Sequence, residues 1–266
     1  MAVPFNVFTH MVEEHFPLSC AYSWDNSGAV IKLSDEVSGV LIALDLTEGV
    51  LDEADKKGFN LILTHHPPIF NAVKRLTSED PVTSAVLKSV KLGISVYSAH
   101  TSCDCAPNGL NFELGRTIGL DCMRIFAQDG CEFPGGGLGV CGELGGMLSE
   151  SEVVELVKKN LGLKMVRCSN VRGSFGKAAV IGGSGGEFYA EAARQGIRVL
   201  ITGEAKHNEF VEASECGVLL IEAGHYETER VFMPLVRRIL NKSITDRGIA
   251  LEVEIAQEGI ISAFVQ

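Results

Sequence analysis

The sequence predicts an α/β fold with largely parallel sheets. Short apolar runs of strand length alternate with longer amphipathic segments through the first half of the chain. Strand, helix and strand in this order favour a parallel sheet covered by helices. Polar side chains directly follow several of the apolar runs, and ligands of such sheets gather outside the carboxyl ends of the strands. We therefore expect the functional site at that edge.

Each element of the first half is indicated by its apolar period and its end signals. Apolar residues at helical spacing predict the first helix, and glycines stop later ones, as Gly58 does after Lys57. Residues 24–28 predict a polar turn that contains the only Trp, which is typical of a structural corner. The predicted helices cover residues 4–15, 47–57, 78–92 and 108–118, and the predicted strands cover 37–46, 59–63 and 94–99.

The second half begins with a glycine-rich stretch, residues 129–146, and we place a domain boundary just before it. Ser149 with Glu152 three residues later predicts a capped helix that runs to Leu161. Strands are predicted over residues 177–181, 199–202, 218–221 and 249–256, and helices over 187–195, around His207 and after Glu229.

Composition and charge disfavour several classes of protein. The net charge of −11 disfavours a nucleic-acid binder, which usually needs a basic face. No apolar run reaches the roughly 18 residues that span a bilayer. The first residues carry no basic segment before an apolar stretch, so we expect no secretory signal and a cytoplasmic protein with reduced thiols. Among the eight cysteines, Cys103 and Cys105 lack the spacing of a zinc or redox motif.

The loop Gly182–Gly186 lies between a predicted strand and a predicted helix. Such a loop can cradle an anion at a helix N-terminus. It lacks the spacing of a dinucleotide-binding loop, because Phe188 takes the place of the third glycine, and it lacks the Lys of a P-loop. A tight turn and a phosphate site both remain open from the residues.

Three strand ends carry the polar groups that suit a metal site. They are His65 with His66, His100 with Asp104, and His225 with Glu229. Imidazole and carboxylate together suit Zn, Mn, Fe or Ni. The set is too large for one tetrahedral ion and suits two ions that share a carboxylate. The alternative is a set of polar caps satisfied by local hydrogen bonds.

Five motifs in order resemble the NIF-three-like family, named in full NGG-one-interacting factor three-like and also known as GTP cyclohydrolase I type 2 homologues. The likeness runs from the N-terminal helix almost to the C-terminus. The motifs are Trp24-Asp25-Asn26-Ser27-Gly28, Thr64-His65-His66-Pro67-Pro68, Ser98-Ala99-His100-Thr101 with Asp104, Thr202-Gly203-Glu204 with His207, and Gly224-His225-Tyr226-Glu227-Thr228-Glu229.

The resemblance implies two interlinked α/β domains and a ring-shaped hexamer, a trimer of dimers. On this pattern residues 1–128 and 218–266 form the metal-binding domain, and residues 129–217 form a second domain inserted into it. The resemblance implies two divalent ions, of Zn, Fe or Mn, at the carboxyl ends of the strands. The implied ligands are His65, His66, Asp104, His225 and Glu229.

The predicted function is that of a dinuclear metal-dependent hydrolase acting on a nucleotide or another small phosphate ester. His100 or Glu204 would act as general base or acid, and His207 matches a motif position near the site. The alternative is a non-enzymatic, metal-binding ring that serves as a scaffold or a transcription-related regulatory partner. The openness of the metal site distinguishes the two, because catalytic sites keep a position for water or substrate.

Overall fold

The structure is a computed structural model that describes residues 2–128 and 130–257. The predicted domain limits at residues 1, 129 and 266, and the end of the predicted metal-binding domain from residue 258 onward, lie outside the described residues.

The elements alternate between strands and helices along the chain. The strands are β1 (Val3–Pro4), β2 (Gly28–Ile31), β3 (Glu36–Val37), β4 (Val40–Ala43), β5 (Leu61–Thr64), β6 (Ser95–Ser98), β7 (Asp121–Ala127), β8 (Leu138–Ser149), β9 (Arg167–Cys168), β10 (Ser174–Ser184), β11 (Val199–Glu204), β12 (Leu219–Glu222) and β13 (Val253–Ile255). The helices are α1 (Phe5–Glu13), α2 (Glu48–Lys57), α3 (Pro81–Leu92), α4 (Thr101–Asp104), α5 (Leu110–Ile118), α6 (Glu150–Leu161), α7 (Tyr189–Arg194), α8 (His207–Glu215), α9 (His225–Glu229) and α10 (Phe232–Arg247).

The described chain divides into two compact units. The first unit contains residues 2–103 and 232–257, and the second contains residues 104–231 with the gap at 129. The predicted division fell later at the first boundary, between 128 and 129, and earlier at the second, between 217 and 218. The difference arises because α5 packs on β8 and β10, and α9 packs on β10 and β11, so both helices belong to the second unit.

The first unit is built on a sheet with the strand order β13-β4-β5-β6-β2. Its pairs are parallel except for β2, which runs antiparallel to β6. Every residue of β4, β5 and β6 is buried, as expected for a sheet covered on both faces. The predicted α/β class and the largely parallel pairing are confirmed for this sheet.

The second unit is built on a mixed sheet with the order β7-β8-β10-β11-β12-β9. Only the pairs β10–β11 and β11–β12 are parallel, so the prediction of a largely parallel sheet is wrong here. The antiparallel pairs are β7–β8, β8–β10 and β9–β12. For β7–β8 the reason lies in the glycine-rich connection, whose described residues contain no helix, because strands joined by a short connection pair antiparallel. The core of this unit includes Phe126, Ile181, Leu200 and Leu220, all buried.

The helix ends follow the signals in the sequence. Thr47 Oγ1 accepts a hydrogen bond from Val50 N at the start of α2, and Gly58 ends that helix with a φ of +70°. Helix α3 begins at Pro81, three residues later than predicted. Asp80 Oδ1 accepts from Thr83 N at 2.9 Å there, and proline suits the first helical position.

No helix in residues 2–128 and 130–257 is both long and apolar enough to cross a membrane.

Candidate metal centre

Three histidines cluster in the first unit, where parallel strands end. His65 and His66 follow β5, and His100 follows β6. Their rings lie 5.0 to 5.7 Å apart, centroid to centroid. One ring nitrogen of each histidine lies within 4.8 Å of one from each of the others. The predicted convergence of these strand ends is thus present within this unit.

Hydrogen bonds fix the orientation of the two adjacent rings. His65 is fully buried, and its Nδ1 donates to the carbonyl oxygen of Ala99 at 3.0 Å. His66 is half-buried, and its Nδ1 donates to Asp45 Oδ1 at 2.9 Å. With Nδ1 held in these bonds, Nε2 is the ring atom that would bind a metal ion. Acceptors of this kind commonly fix metal-binding histidines.

His100 is held by a buried carboxylate. Its Nδ1 donates to Asp25 Oδ1 at 2.7 Å, and the Asp25 side chain is completely buried. Asp25 Oδ2 also accepts from Ser27 Oγ at 2.6 Å and from Thr101 Oγ1 at 2.6 Å. Burial disfavours the charged carboxylate, but these bonds outweigh it and hold the pKa of Asp25 well below its usual range. Asp25 is therefore a charged anchor for the His100 ring.

Asp25 and Asp45 were not among the predicted site residues, and the topology explains why they are here. Asp45 follows β4, so it lies at the same sheet edge as the residues that follow β5. Strand β2 runs antiparallel to β6, with Gly28 opposite Ser98, so residues before Gly28 meet residues after Ser98. The polar turn at residues 24–28 therefore supports the histidines in addition to turning the chain.

A second cluster lies at the strand ends of the second unit. His225 and Glu229 are the first and last residues of α9, and His225 Nε2 lies 3.0 Å from Glu229 Oε2. The predicted (i, i+4) face is thus present. His225 Nδ1 lies 3.1 Å from Oε1 of Glu204, the last residue of β11. Glu204 is more than half exposed, whereas Glu229 is buried.

Two glycines allow α9 to approach the neighbouring strands this closely. A Cβ on Gly183 would lie 2.3 Å from Glu229 Oε1, and Gly183 has a φ of +63°. A Cβ on Gly203 would lie 2.8 Å from His225 Cα. Real Cβ atoms do not tolerate such distances, so these positions require glycine where the strands meet the helix.

The loop at residues 182–186 uses two of its amides inside the protein. Gly182 N donates to Asn111 Oδ1 at 2.8 Å, and Gly183 N donates to Thr228 Oγ1 at 3.2 Å. These two groups are thus not available to a phosphate, and the loop forms a tight turn against α9. Asn111 also donates from Nδ2 to the backbone carbonyl of Asp104 at 3.0 Å, so it connects Asp104 to this loop.

The predicted site residues thus fall into groups within the units. The first unit brings His65, His66 and His100 together. The second brings Glu204, His225 and Glu229 together and ties the half-buried Asp104 to the adjoining loop. His207 begins α8 and is exposed.

The donor sets fit divalent transition-metal ions. Imidazole and carboxylate suit Zn, Mn and Fe. Two donor atoms that bind one ion at about 2.1 Å each lie about 3.0 to 3.4 Å apart. The 3.0 Å between His225 Nε2 and Glu229 Oε2 is the distance of a direct ion pair, and it also falls within the range of two ligands on one ion. In the first unit, hydrogen bonds at Nδ1 fix the orientation of the His65, His66 and His100 rings. Metal-binding histidines are commonly oriented in this way.

The α/β fold and the histidine and glutamate clusters together define a protein with candidate metal-binding groups at its strand ends. The chain matches the family described as Duf34/NIF3 (NGG1p interacting factor 3) over residues 4–259, and it belongs to that family. The resemblance predicted from the five motifs is confirmed.

Relatives of the chain cover almost its whole length. It is 29% identical over 253 residues to the GTP cyclohydrolase 1 type 2 homolog of Clostridium acetobutylicum, with 94% of each chain covered. It is 32% identical over 235 residues to the Protein NIF3 homolog of Schizosaccharomyces pombe, with 84% of each covered. The crystal structure of a Staphylococcus aureus hypothetical protein matches with a TM-score of 0.90 at 27% identity, covering 98% of this chain and 99% of that one.

Proposed function

We propose that the protein is a dinuclear metal-dependent hydrolase whose ligands are His65, His66, Asp104, His225 and Glu229. The observation that carries the proposal is the fixed donor pair of α9, where His225 Nε2 and Glu229 Oε2 lie 3.0 Å apart. The Nδ1 bonds of His65 and His66 support it, because each leaves Nε2 as the ligand atom. The five-residue set as one centre rests on the family resemblance.

The substrate class follows from the donor chemistry and from the relatives. When bound, a pair of divalent ions supplies Lewis-acid activation of water and neutralises phosphate charge. Several relatives carry the name GTP cyclohydrolase 1 type 2 homolog. We therefore propose a nucleotide or another small phosphate ester as the substrate.

The residues around the ligands have separate roles in this proposal. His100 holds or moves a proton at Nε2, because its Nδ1 is fixed by the charged Asp25 at 2.7 Å. Glu204 is placed to orient His225 through Nδ1 rather than to reach substrate by itself. The sequence predicted both His100 and Glu204 as acid or base, and the geometry favours His100 for that role.

We also propose that the protein is cytoplasmic and forms the hexamer that the family resemblance implies. Light scattering coupled to size-exclusion chromatography tests the assembly. A mass near six chains is expected, and a monomer at working concentration contradicts it.

Elemental analysis of protein purified without added metal tests the ligand set. We expect two divalent ions per chain in the wild type and a clear loss in His65→Ala and in Glu229→Ala. His15→Ala is the matched control, because His15 is exposed and outside the predicted ligand set. Full metal content in both ligand variants would contradict the proposed ligand set.

An activity screen with the ions found by that analysis tests the reaction. Nucleotides, phosphate esters and cyclic amides are the substrates to examine. Turnover that disappears in His100→Ala with metal content intact would support the hydrolase. A metal-loaded wild type that turns over none of them would contradict it. Partner binding retained by the metal-free variants would then favour the scaffold.

A further inference from the structure

An exposed group of aromatic rings lies in the first unit beside the histidine cluster. This aromatic stack consists of Tyr22, Trp24 and Phe70. The Tyr22 and Trp24 rings are stacked at 5.2 Å with an interplanar angle of 18°, and Phe70 meets Trp24 at 5.8 Å and 65°. Trp24 is 59% exposed and Phe70 is 48% exposed. The stack therefore offers aromatic surface to a ligand in solution.

The stack is held in place by hydrogen bonds on both of its loops. Asn26 Nδ2 donates to the carbonyl oxygen of Ile69 at 2.6 Å, which ties the loop before β2 to the loop after β5. Tyr22 N donates to Thr101 Oγ1 at 3.1 Å. Asp25, next to Trp24, is the buried anchor of His100. A fixed surface of this kind loses little conformational entropy when a ligand binds.

The stack is continuous with the imidazoles. The Phe70 ring meets the His100 ring at 6.0 Å with an angle of 80°. His100 in turn lies 5.3 Å from His65 and 5.7 Å from His66, centroid to centroid. A planar ring stacked on Trp24 would therefore be linked to the predicted metal ligands through the rings of Phe70 and His100.

We propose that the aromatic stack binds the planar heteroaromatic ring of the substrate, in the manner of a nucleobase. The inference rests on the proposed function, since the phosphate or oxygen end of the same molecule would reach the histidine cluster. Stacking on aromatic side chains is the usual way in which proteins hold bases without reading their edges. The exposed neighbours Ser23 and Asn71 are polar and suit a ligand that carries polar groups at its rim.

The chain provides its own reporter for this site. Trp24 is the only Trp, so intrinsic tryptophan fluorescence measures this position alone. Titration of the wild type with GTP is expected to give saturable quenching. Inorganic tripolyphosphate, which lacks the ring, is expected to leave the emission unchanged. Absence of saturable quenching by GTP, or equal quenching by tripolyphosphate, would overturn the proposal.

Variants at Phe70 keep the reporter and test the stack itself. Phe70→Ala is expected to weaken GTP binding by about tenfold or more. Phe70→Leu keeps apolar volume without a ring, so it should weaken binding as well. Val90→Ala is the matched control, because Val90 is an exposed apolar residue of α3 in the same unit. Wild-type affinity in both Phe70 variants would overturn the proposal.

Ring binding by the stack can be told apart from self-association and from hydrolysis at the metal centre. If the emission of Trp24 changes with protein concentration and not with GTP, a second copy of the chain covers the stack and the proposal is wrong. If GTP quenches saturably but no hydrolysis is found, the ring site stands and the proposed reaction fails. If hydrolysis occurs with the same KM for GTP in Phe70→Ala, the reaction stands and the ring site fails.

Discussion

At the scale of single residues, acceptors at Nδ1 set the position of the histidine donors. An imidazole at a strand end can adopt several rotamers, and a hydrogen bond from Nδ1 selects one of them. Here the acceptors differ: a backbone carbonyl holds His65, whereas carboxylates hold His66 and His100. Replacing one of these carboxylates therefore removes the group that positions a histidine and leaves the histidine itself unchanged.

Replacing Asp45 by Ala is expected to weaken metal binding about 10- to 100-fold, because His66 loses the acceptor that fixes its ring. Isothermal titration of the metal-free protein with Zn²⁺ measures the change. Asp55→Ala is the control, since Asp55 is an exposed residue of α2. Equal affinities in the two variants would show that Asp45 has no positioning role.

Replacing Gly183 by Ala is expected to displace Glu229 and to lower metal content, because the new Cβ would lie 2.3 Å from Glu229 Oε1. Elemental analysis provides the measurement. Gly217→Ala has a similar backbone cost, with a φ of +70°, but its Cβ meets nothing within 4 Å. Metal loss in Gly183→Ala but not in Gly217→Ala is the expected pattern, and equal losses would point to backbone strain alone.

The sequence predicted the histidines but not their supports. His65, His66, His100 and His225 each follow an apolar run, and the order of elements placed them at strand ends. Asp25 could not be recognised, because Asp turns are common and the antiparallel direction of β2 is not legible in so short a strand. The contact of Gly183 with Glu229 depends on packing between distant segments, which no local pattern encodes.

At the scale of elements, helix α6 begins and ends where the sequence indicates. Ser149 Oγ accepts from Glu152 N, and Glu152 Oε2 accepts from Ser149 N at 2.8 Å, which is a capping box. Gly162 ends the helix with a φ of +68°.

Ser149→Ala is expected to lower the free energy of unfolding by about 0.5 to 2 kcal/mol, because the Glu152 amide loses the Ser149 Oγ that accepts its hydrogen bond. Urea denaturation followed by circular dichroism measures it. Lys159→Ala, at an exposed position of the same helix outside the capping box, should stay within about 0.5 kcal/mol of the wild type. Equal destabilisation by both variants would contradict a specific capping role.

Sheet pairing was predictable only where helices connect the strands. The segments that contain α2 and α3 give β4, β5 and β6 their parallel order, and this order was predicted from the alternation of elements. Strand β7 was not predicted at all. It carries Asp121 and Arg124 among exposed positions, and it pairs with β8 around a register shift. A half-exposed, irregular strand of this kind gives no clear apolar period.

At the scale of the whole molecule, a buried phenol couples folding to alkaline pH. Tyr97 of β6 donates to Glu13 Oε1 of α1 at 2.9 Å and packs edge-on against Phe8. Burial raises the pKa of the Tyr97 hydroxyl, and the nearby Glu13 carboxylate raises it further. The folded protein therefore keeps this proton at a pH where an unfolded chain has lost it.

The free energy of unfolding is expected to fall as pH rises above about 10, the usual pKa of tyrosine, by up to about 1.4 kcal/mol per pH unit. Below that pH both states hold the proton, so this contribution is fully present. Tyr97→Phe should show a flatter alkaline slope in urea unfolding measured over that range. An identical slope in the variant would show that Tyr97 is not the group responsible.

The first unit is assembled from two separate stretches of the chain, and this affects the order of events on the ribosome. Strands β7 to β12 are contiguous in sequence, so the second sheet can form as soon as residue 231 has emerged. The first sheet lacks β13, which pairs with β4 opposite Val40, until residues 253–255 have been synthesised. At about 5 to 20 residues per second, β4 remains an open edge for several seconds or more. During that interval its unpaired backbone groups are a target for chaperones, and also for the same strand of a neighbouring nascent chain.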